Sequence, residues 1–182
     1  MHQYDFYCYS LGCLSLAMAL TNQTLGQAYA ASHRVQQAWL QGNLTRYQLV
    51  ENFLLDDVFR LNEHVIQEML PRLNILITTV NEGLQVRQAT CMVEFYDLLL
   101  QTTWIPFVTG EGATLARGDN YILDGGFSRM LHPTCQQELY VPLTWKLSQF
   151  SLDPSFDLAT ATEFWSMGQA APSLETPAAT VA

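Results

Sequence analysis

The spacing of apolar and polar residues predicts helices in the first part of the chain. Residues 4–9 form a short run that is rich in aromatic side chains, as in a buried strand. The small and apolar residues that follow Ser10 predict a helix. Capping boxes that begin at Thr24 and at Thr45 predict the next two helices, and Pro71 is expected to end a fourth. These later helices are predicted at residues 24–41, about 45–55 and about 62–71.

The pattern then changes to short strands. Residues 73–80 are rich in Ile and Thr, a turn follows at residues 81–83, and residues 84–92 alternate as a second strand would. Further elements are predicted as a helix at about 93–100, strands at 121–123 and 139–143, and a helix at about 156–167. Helices interleaved with short apolar strands indicate a layered α/β domain with a mainly parallel sheet. We place this domain at residues 1–168, and expect the tail at 169–182, rich in Ala, Pro, Ser and Thr, to be disordered.

Composition and charge narrow the range of partners. The 182 residues carry a net charge of −9 and only 14% charged side chains, which argues against nucleic acid and against an anionic membrane surface as partners. The longest apolar run, residues 11–20, is well short of the ~18–20 residues that span a bilayer, so no transmembrane segment is expected. A signal peptide is also disfavoured, because no Lys or Arg precedes Arg34 and Asp5 lies where a positive charge belongs. We therefore expect a cytoplasmic protein or one peripheral to a lipid surface.

Four cysteines are too few for a disulfide-dense scaffold, and they lack the paired spacing of a zinc site. Free and mostly buried thiols are the expectation, and neither a metal nor a cofactor is predicted. The cysteines are Cys8, Cys13, Cys91 and Cys135.

The first segment that suggests chemistry is Cys8-Tyr9-Ser10-Leu11-Gly12, between a predicted strand and a predicted helix. In a nucleophile elbow, small residues flank a serine whose hydroxyl is exposed above the sheet at a helix N-terminus. Here Cys8 stands where that motif begins with glycine. On these five residues alone, an ordinary helix N-cap serine is the better interpretation.

The second segment is Asp124-Gly125-Gly126, which directly follows the short strand at 121–123. An acidic residue at the end of an apolar strand, followed by glycines that turn freely, places a carboxylate where α/β proteins build their sites. An Asp-Gly turn without function is the commoner explanation of such a segment.

Taken together, with Ile105-Pro106 ahead of the aspartate, these segments resemble the patatin-like phospholipase family. The family pairs the serine of a G-x-S-x-G elbow with the aspartate of a D-G-[GA] motif, and an A-S-x-x-I-P segment precedes that aspartate. The resemblance covers about residues 4–143 and implies a three-layer domain. It departs at Cys8, and Gln101-Thr102 replace Ala-Ser. The matched residues are Ser10, Gly12, Ile105, Pro106, Asp124, Gly125 and Gly126.

The resemblance also implies a glycine-rich loop whose amides form the oxyanion hole, several tens of residues before the elbow. This chain starts nine residues before Ser10, so the domain is expected to be N-terminally incomplete. The amide of Leu11 is then the remaining oxyanion donor.

The implied activity is that of a lipid acyl hydrolase acting through an acyl-enzyme, with no cofactor. Ser10 would be the nucleophile and Asp124 the general base, and Trp104 and Phe107 are the candidates for contact with acyl chains. A Ser-His-Asp triad that uses His132 is a weaker alternative, because His132-Pro133 is typical of a turn.

Two other functions remain open. One is an inactive or truncated patatin-like domain that only binds lipid or a protein partner, which the absent glycine loop favours. The other is an unrelated α/β domain whose short motifs match by coincidence.

Overall fold

A computed structural model describes residues 4–54, 63–135, 137–138, 159, 162–163, 166 and 174–175. The chain divides into two compact units, Met1–His132 and Pro133–Ala182. The first unit contains all the candidate site residues, so the sheet and helices of that unit are described first.

The described part of the first unit contains five α-helices and five strands, joined in places by short 3₁₀ segments. The helices are α1 (Leu11–Leu20), α2 (Leu25–Leu40), α3 (Leu49–Leu54), α4 (Glu63–Met69) and α5 (Met92–Thr102). The strands are β1 (Phe6–Cys8), β2 (Leu73–Thr79), β3 (Gly83–Arg87), β4 (Leu115–Arg117) and β5 (Asn120–Leu123). The 3₁₀ segments are Arg46–Gln48, Leu70–Arg72 and Gly125–Leu131.

The strands form one mixed sheet around β2, all seven residues of which are buried. β1 pairs with β2 in parallel, whereas β3 and β5 pair with it antiparallel and β4 pairs antiparallel with β5. The α/β prediction is confirmed, but the prediction of a mainly parallel sheet is wrong. Tight turns join β2 to β3 and β4 to β5, and a tight turn reverses the chain, so both of these pairs are antiparallel. β1 and β2 are joined through helices α1 to α4, which leaves room for a parallel crossover.

β1 and β5 lie end to end along the same edge of β2. β1 pairs with Leu73–Ile75, β5 pairs with Thr78 and Thr79, and β3 occupies the opposite edge over Ile75–Thr79. Because β1 runs with β2 and β5 runs against it, the carboxyl ends of both strands point at Leu76 and Ile77. The residues that follow β1 and β5 therefore meet beside the middle of β2.

The helices bury one side each against this sheet or against one another. Their buried residues include Cys13, Leu14 and Ala17 of α1, Ala31 and Val35 of α2, Ile66 of α4, and Phe95, Leu98 and Leu99 of α5. With the exception of Val35, these side chains lie with Leu73, Ile75 and Ile77 of β2 in the hydrophobic core of the first unit. Burial of apolar area on this scale is the main favourable term in folding.

The helix boundaries agree with the sequence pattern except at the second capping box. Both capping boxes are present, at Thr24 and at Thr45, but the second begins the 3₁₀ segment that leads into α3. α4 ends at Met69, two residues before Pro71, close to the predicted end. Pro71 lies in the 3₁₀ segment after α4, near the start of a helical turn, where its missing amide costs little. The strand predicted at 84–92 ends at Arg87, and α5 begins at Met92.

In the second unit, β6 (Gln137–Glu138) pairs antiparallel with β7 (Leu174–Glu175). β7 lies in the segment predicted as a disordered tail. The strand predicted at 139–143 lies outside the described residues, and of the helix predicted at 156–167 only residues 159, 162, 163 and 166 are described, all of them helical. Within the described part of the chain, no helix combines the length and apolar character needed to cross a membrane.

Candidate active site

Ser10 occupies the turn between β1 and α1 in a strained backbone conformation, with φ of 52° and ψ of −145°. A residue other than glycine rarely adopts a positive φ, and such strain clusters at functional sites. Ser10 stands at the N-cap position, yet its side chain makes no capping hydrogen bond and its backbone lacks the extended form of capping serines. The backbone at Ser10 therefore differs from that of an ordinary N-cap and has the strain expected of a nucleophile elbow.

The Ser10 backbone is held from the sheet side by a hydroxyl that the sequence pattern does not single out. The Ser10 amide donates to Thr102 Oγ1 at 2.8 Å, and the Thr102 hydroxyl donates in turn to the Leu76 carbonyl at 2.7 Å. Thr102 is fully buried at the end of α5. This bridge ties the elbow to the middle of β2. In the resemblance to the patatin-like family, Thr102 stands at the position of the serine in Ala-Ser. This match is the sequence feature that could have pointed to Thr102.

A disulfide bond joins Cys8 to Cys13 across the elbow, with 4.9 Å between their Cα atoms. The prediction of free thiols is therefore wrong for this pair, while Cys91 is an exposed thiol. A disulfide depends on the distance and direction of the Cβ atoms, which here follow from the sharp strand-to-helix turn. A spacing of five residues gives no sign of that turn.

Asp124 follows β5 and is buried, with 4% of its surface exposed. Its amide donates to the Trp104 carbonyl at 2.8 Å, and its Oδ1 accepts from the Gly126 amide at 2.7 Å. Its Oδ2 is buried and has no hydrogen-bond partner among the described residues. A buried oxygen of this kind calls for an explanation, and a catalytic role is one of the accepted ones.

The surroundings of Asp124 favour its neutral form. Burial raises the pKa of the carboxyl above the ordinary 3.8, and the Ser10 hydroxyl, the Gly126 amide and the charge of His132 act in the opposite direction. The Ser10 hydroxyl is thus near enough to the carboxyl to lower its pKa, although it makes no hydrogen bond of ordinary length with Asp124 Oδ2. Such bonds are often long in the absence of substrate and tighten when it binds.

The first glycine of the Asp-Gly-Gly segment is required by close packing. A Cβ atom on Gly125 would lie 2.1 Å from the Leu76 carbonyl oxygen and 2.8 Å from Tyr9 Cβ. On Gly126 it would lie 3.0 Å from Asp124 Oδ1. Gly125 therefore lets the segment after β5 touch the segment after β1. Gly12 has open space around its Cα, so no such contact explains it.

Trp104 and Phe107, the two candidates for contact with an acyl chain, have different surroundings. Trp104 orients Asp124 through its main chain, and its indole packs on Gly110, whose added Cβ would lie 2.2 Å from Trp104 Cε2. Phe107 is 58% exposed, with a positive φ of 58°, and the Arg46 guanidinium donates to its carbonyl at 2.5 Å. Phe107 is the more accessible of the two candidates for contact with an acyl chain.

His132 also lies at the site, although it does not take the role of a triad histidine. Its Nε2 donates to the Gly125 carbonyl at 2.9 Å, and its ring meets the Tyr9 ring edge-on with 4.6 Å between centroids. His132 thus bridges the segments that carry Ser10 and Asp124. None of the hydrogen bonds of the described residues joins His132 to the Ser10 hydroxyl.

The N-terminus of α1 offers hydrogen-bond donors beside Ser10. The first amides of a helix have no partner within the helix and carry its positive dipole end. Leu11 and Gly12, which open α1, are both exposed, and the first turn has no acidic residue. The Leu11 amide, which directly follows Ser10, is one of these donors.

Comparisons with known proteins add no relative to this description. No protein-family model matches the chain, and neither a curated protein nor a solved structure matches it. In the described part of the chain, no group of three or more His, Cys, Asp or Glu side chains is placed to hold a metal ion.

Proposed function

We propose that this chain is a serine carboxylic ester hydrolase of the lipid acyl hydrolase type, with the three-layer patatin-like domain that its motifs resemble. The observation that carries the proposal is the pairing of Ser10, strained in an elbow, with the buried Asp124, whose Oδ2 is unpartnered among the described residues. Neither feature contributes to stability, and together they supply a nucleophile and a base.

The proposed reaction uses the Ser-Asp dyad through an acyl-enzyme. Asp124 accepts the Ser10 hydroxyl proton as Oγ attacks the ester carbonyl, and the Leu11 amide stabilises the resulting oxyanion. Collapse of the tetrahedral intermediate breaks the bond to the alcohol, which takes the proton from Asp124. Water then attacks the acyl-Ser10 ester and gives a proton to Asp124. Collapse of this second tetrahedral intermediate breaks the bond between Oγ and the acyl carbon, releases the fatty acid and returns the proton from Asp124 to Ser10 Oγ.

A lipid ester is the proposed substrate because exposed apolar side chains flank both catalytic residues. Leu11 follows Ser10, and Phe127, Met130 and Leu131 lie on the 3₁₀ segment after Asp124, each at least 58% exposed. Exposed apolar groups gathered in a patch mark surfaces that meet a ligand or a membrane. With a net charge of −9, a neutral or zwitterionic lipid suits this surface better than an anionic one.

The test is reaction with a fluorophosphonate probe, followed by mass mapping of the modified peptide. We expect labelling at Ser10 that Ser10→Ala and Asp124→Asn both abolish. Ser15→Ala is the matched control, since Ser15 lies on the same helix and its hydroxyl bonds only the Leu11 carbonyl. A folded protein that remains unlabelled contradicts the proposal and favours the alternative of a domain that only binds lipid or a protein.

A further inference from the structure

The disulfide bond between Cys8 and Cys13 encloses the candidate nucleophile in a small ring. Cys8 is the last residue of β1, Cys13 lies in the first turn of α1, and Ser10 is between them. Both cysteines are buried in the core against the sheet. The bond therefore fixes the end of the strand relative to the beginning of the helix at the point where Ser10 makes the turn.

The strained backbone of Ser10 needs such a restraint. A non-glycine residue persists in this region of φ and ψ only when its surroundings hold it there. The bond from the Ser10 amide to Thr102 is one restraint, and the disulfide is the second. Gly12, inside the same ring and with open space around it, offers the chain freedom to relax if either restraint is lost.

We propose that the Cys8–Cys13 disulfide is a positioning device for Ser10, so that the reactivity of Ser10 depends on the oxidation state of this pair. The effect of the disulfide on catalysis rests on the proposed function, whereas its effect on the Ser10 backbone does not. In the dithiol form, Ser10 relaxes toward the extended conformation of an N-cap residue, and its hydroxyl turns to the free amides of α1. The nucleophile then no longer faces Asp124.

Reduction is a thiol–disulfide exchange with a small dithiol. One thiolate of dithiothreitol attacks a sulfur of the pair and forms a mixed disulfide, releasing the other cysteine as a thiolate. The second thiol of the reagent then closes its own ring and releases the remaining cysteine. The protein gains two electrons and two protons as thiols, and the reagent leaves as its cyclic disulfide.

The experiment compares the oxidised full chain, the chain reduced with dithiothreitol, and the double variant Cys8→Ala with Cys13→Ala. Cys91→Ala, which removes an exposed thiol outside the elbow, is the control. Non-reducing peptide mapping shows the link. Hydrogen exchange measures the Ser10 amide, and saturation kinetics with a fluorophosphonate separate kinact from the concentration that gives half-maximal rate.

We expect the reduced chain and the double variant to lose about tenfold in protection of the Ser10 amide, as local opening allows, while Ile77 in β2 is unchanged. We expect kinact to fall about tenfold with no change in half-saturation, which a general loss of stability would not produce below the melting temperature. Cys91→Ala should match the parent in both measurements.

Two results overturn the inference: thiols at Cys8 and Cys13 in protein prepared under air, or a Ser10 amide equally protected in the double variant and the parent. An oxidised chain that protects the Ser10 amide but never reacts with the probe separates the two proposals. It supports the positioning of Ser10 by the disulfide and counts against the proposed hydrolase function.

Discussion

Thr102→Val removes the hydroxyl that joins the Ser10 amide to the Leu76 carbonyl, while conserving the volume of a fully buried side chain. The substitution leaves the elbow amide without its acceptor and the Leu76 carbonyl without this donor. Water cannot replace the hydroxyl without opening the core. We expect a loss of stability together with a loss of Ser10 reactivity, because the same bond serves both.

The size of the effect follows from the two bonds. A buried polar group left without a partner costs about 1–3 kcal/mol, and the Ser10 amide is only half-buried, so a total of about 2–3 kcal/mol is expected. At about 2–4 °C for each kcal/mol in a chain of this length, the melting temperature should fall by about 4–12 °C. The rate of probe labelling at Ser10 should fall about tenfold, since the strained conformation loses one of its two restraints.

Thermal unfolding and fluorophosphonate labelling at 25 °C measure the two effects separately. Thr103→Val is the matched control because Thr103 is also buried, yet its hydroxyl donates only to the carbonyls of Leu99 and Leu100 within α5. It should cost under about 1 kcal/mol and leave labelling unchanged. Thr102→Ser, which keeps the hydroxyl, should restore most of the labelling rate. Equal labelling of Thr102→Val and the parent chain would refute the assigned role.

Four further predictions concern the aspartate segment. Asp124→Asn should abolish labelling and raise the melting temperature at pH 7, because burial penalises the ionised carboxyl that the neutral amide replaces; a lower melting temperature would contradict this. Labelling of the parent chain should increase with pH through a midpoint above 3.8, since Asp124 must lose its proton to act as a base and burial raises its pKa. The pKa of Asp124 is higher in the folded chain than in the unfolded chain. The contribution of Asp124 to stability is therefore complete below the unfolded pKa and is lost as pH rises through the folded pKa. Denaturation at a series of acidic pH values shows whether the free energy of unfolding changes in this direction. Gly125→Ala should lower the free energy of unfolding in chemical denaturation by about 2–3 kcal/mol, because the added Cβ would meet the Leu76 carbonyl. The control, Gly26→Ala on α2, should be neutral or stabilising. Similar losses for both variants would contradict the packing argument.

The local elements of the site were predictable from the sequence because each has a short-range signal. The aromatic run before Ser10, the small residues after it and the glycines after Asp124 correspond to a strand, a helix and a 3₁₀ segment in the structure. Both capping boxes also hold. These features depend on side chains within about four residues of each other, which is the range over which sequence patterns act.

What the sequence did not indicate is the direction of β5. A strand that ends in an acidic residue and two glycines has the same pattern whether it runs with or against its neighbour. The parallel interpretation would set Ser10 and Asp124 side by side at one edge of the sheet. In the structure the two strands approach from opposite ends and meet at Leu76. The direction of β5 depends on the pairing of segments that are distant in the chain, and a single sequence does not indicate that pairing.

For a related reason, the sequence could not predict the roles of Thr102, His132 and the disulfide. Each acts through a contact with a distant segment or through a backbone angle: Thr102 reaches Leu76, His132 reaches Tyr9, and Cys8 reaches Cys13 only because the elbow is sharp. Thr102 and His132 were visible as residues, but their partners are set by tertiary packing.

Three local features that oppose stability meet at one point of the fold. Ser10 holds a strained φ, Asp124 buries a carboxyl with an oxygen unpartnered among the described residues, and Gly125 touches the Leu76 carbonyl where no other residue fits. A domain that served only as a scaffold would gain from an extended Ser10 and a neutral residue at position 124. Sequences depart from such local preferences mainly where function requires it. That these three departures gather around one carbonyl of β2 is the strongest physical reason to look for chemistry at Ser10.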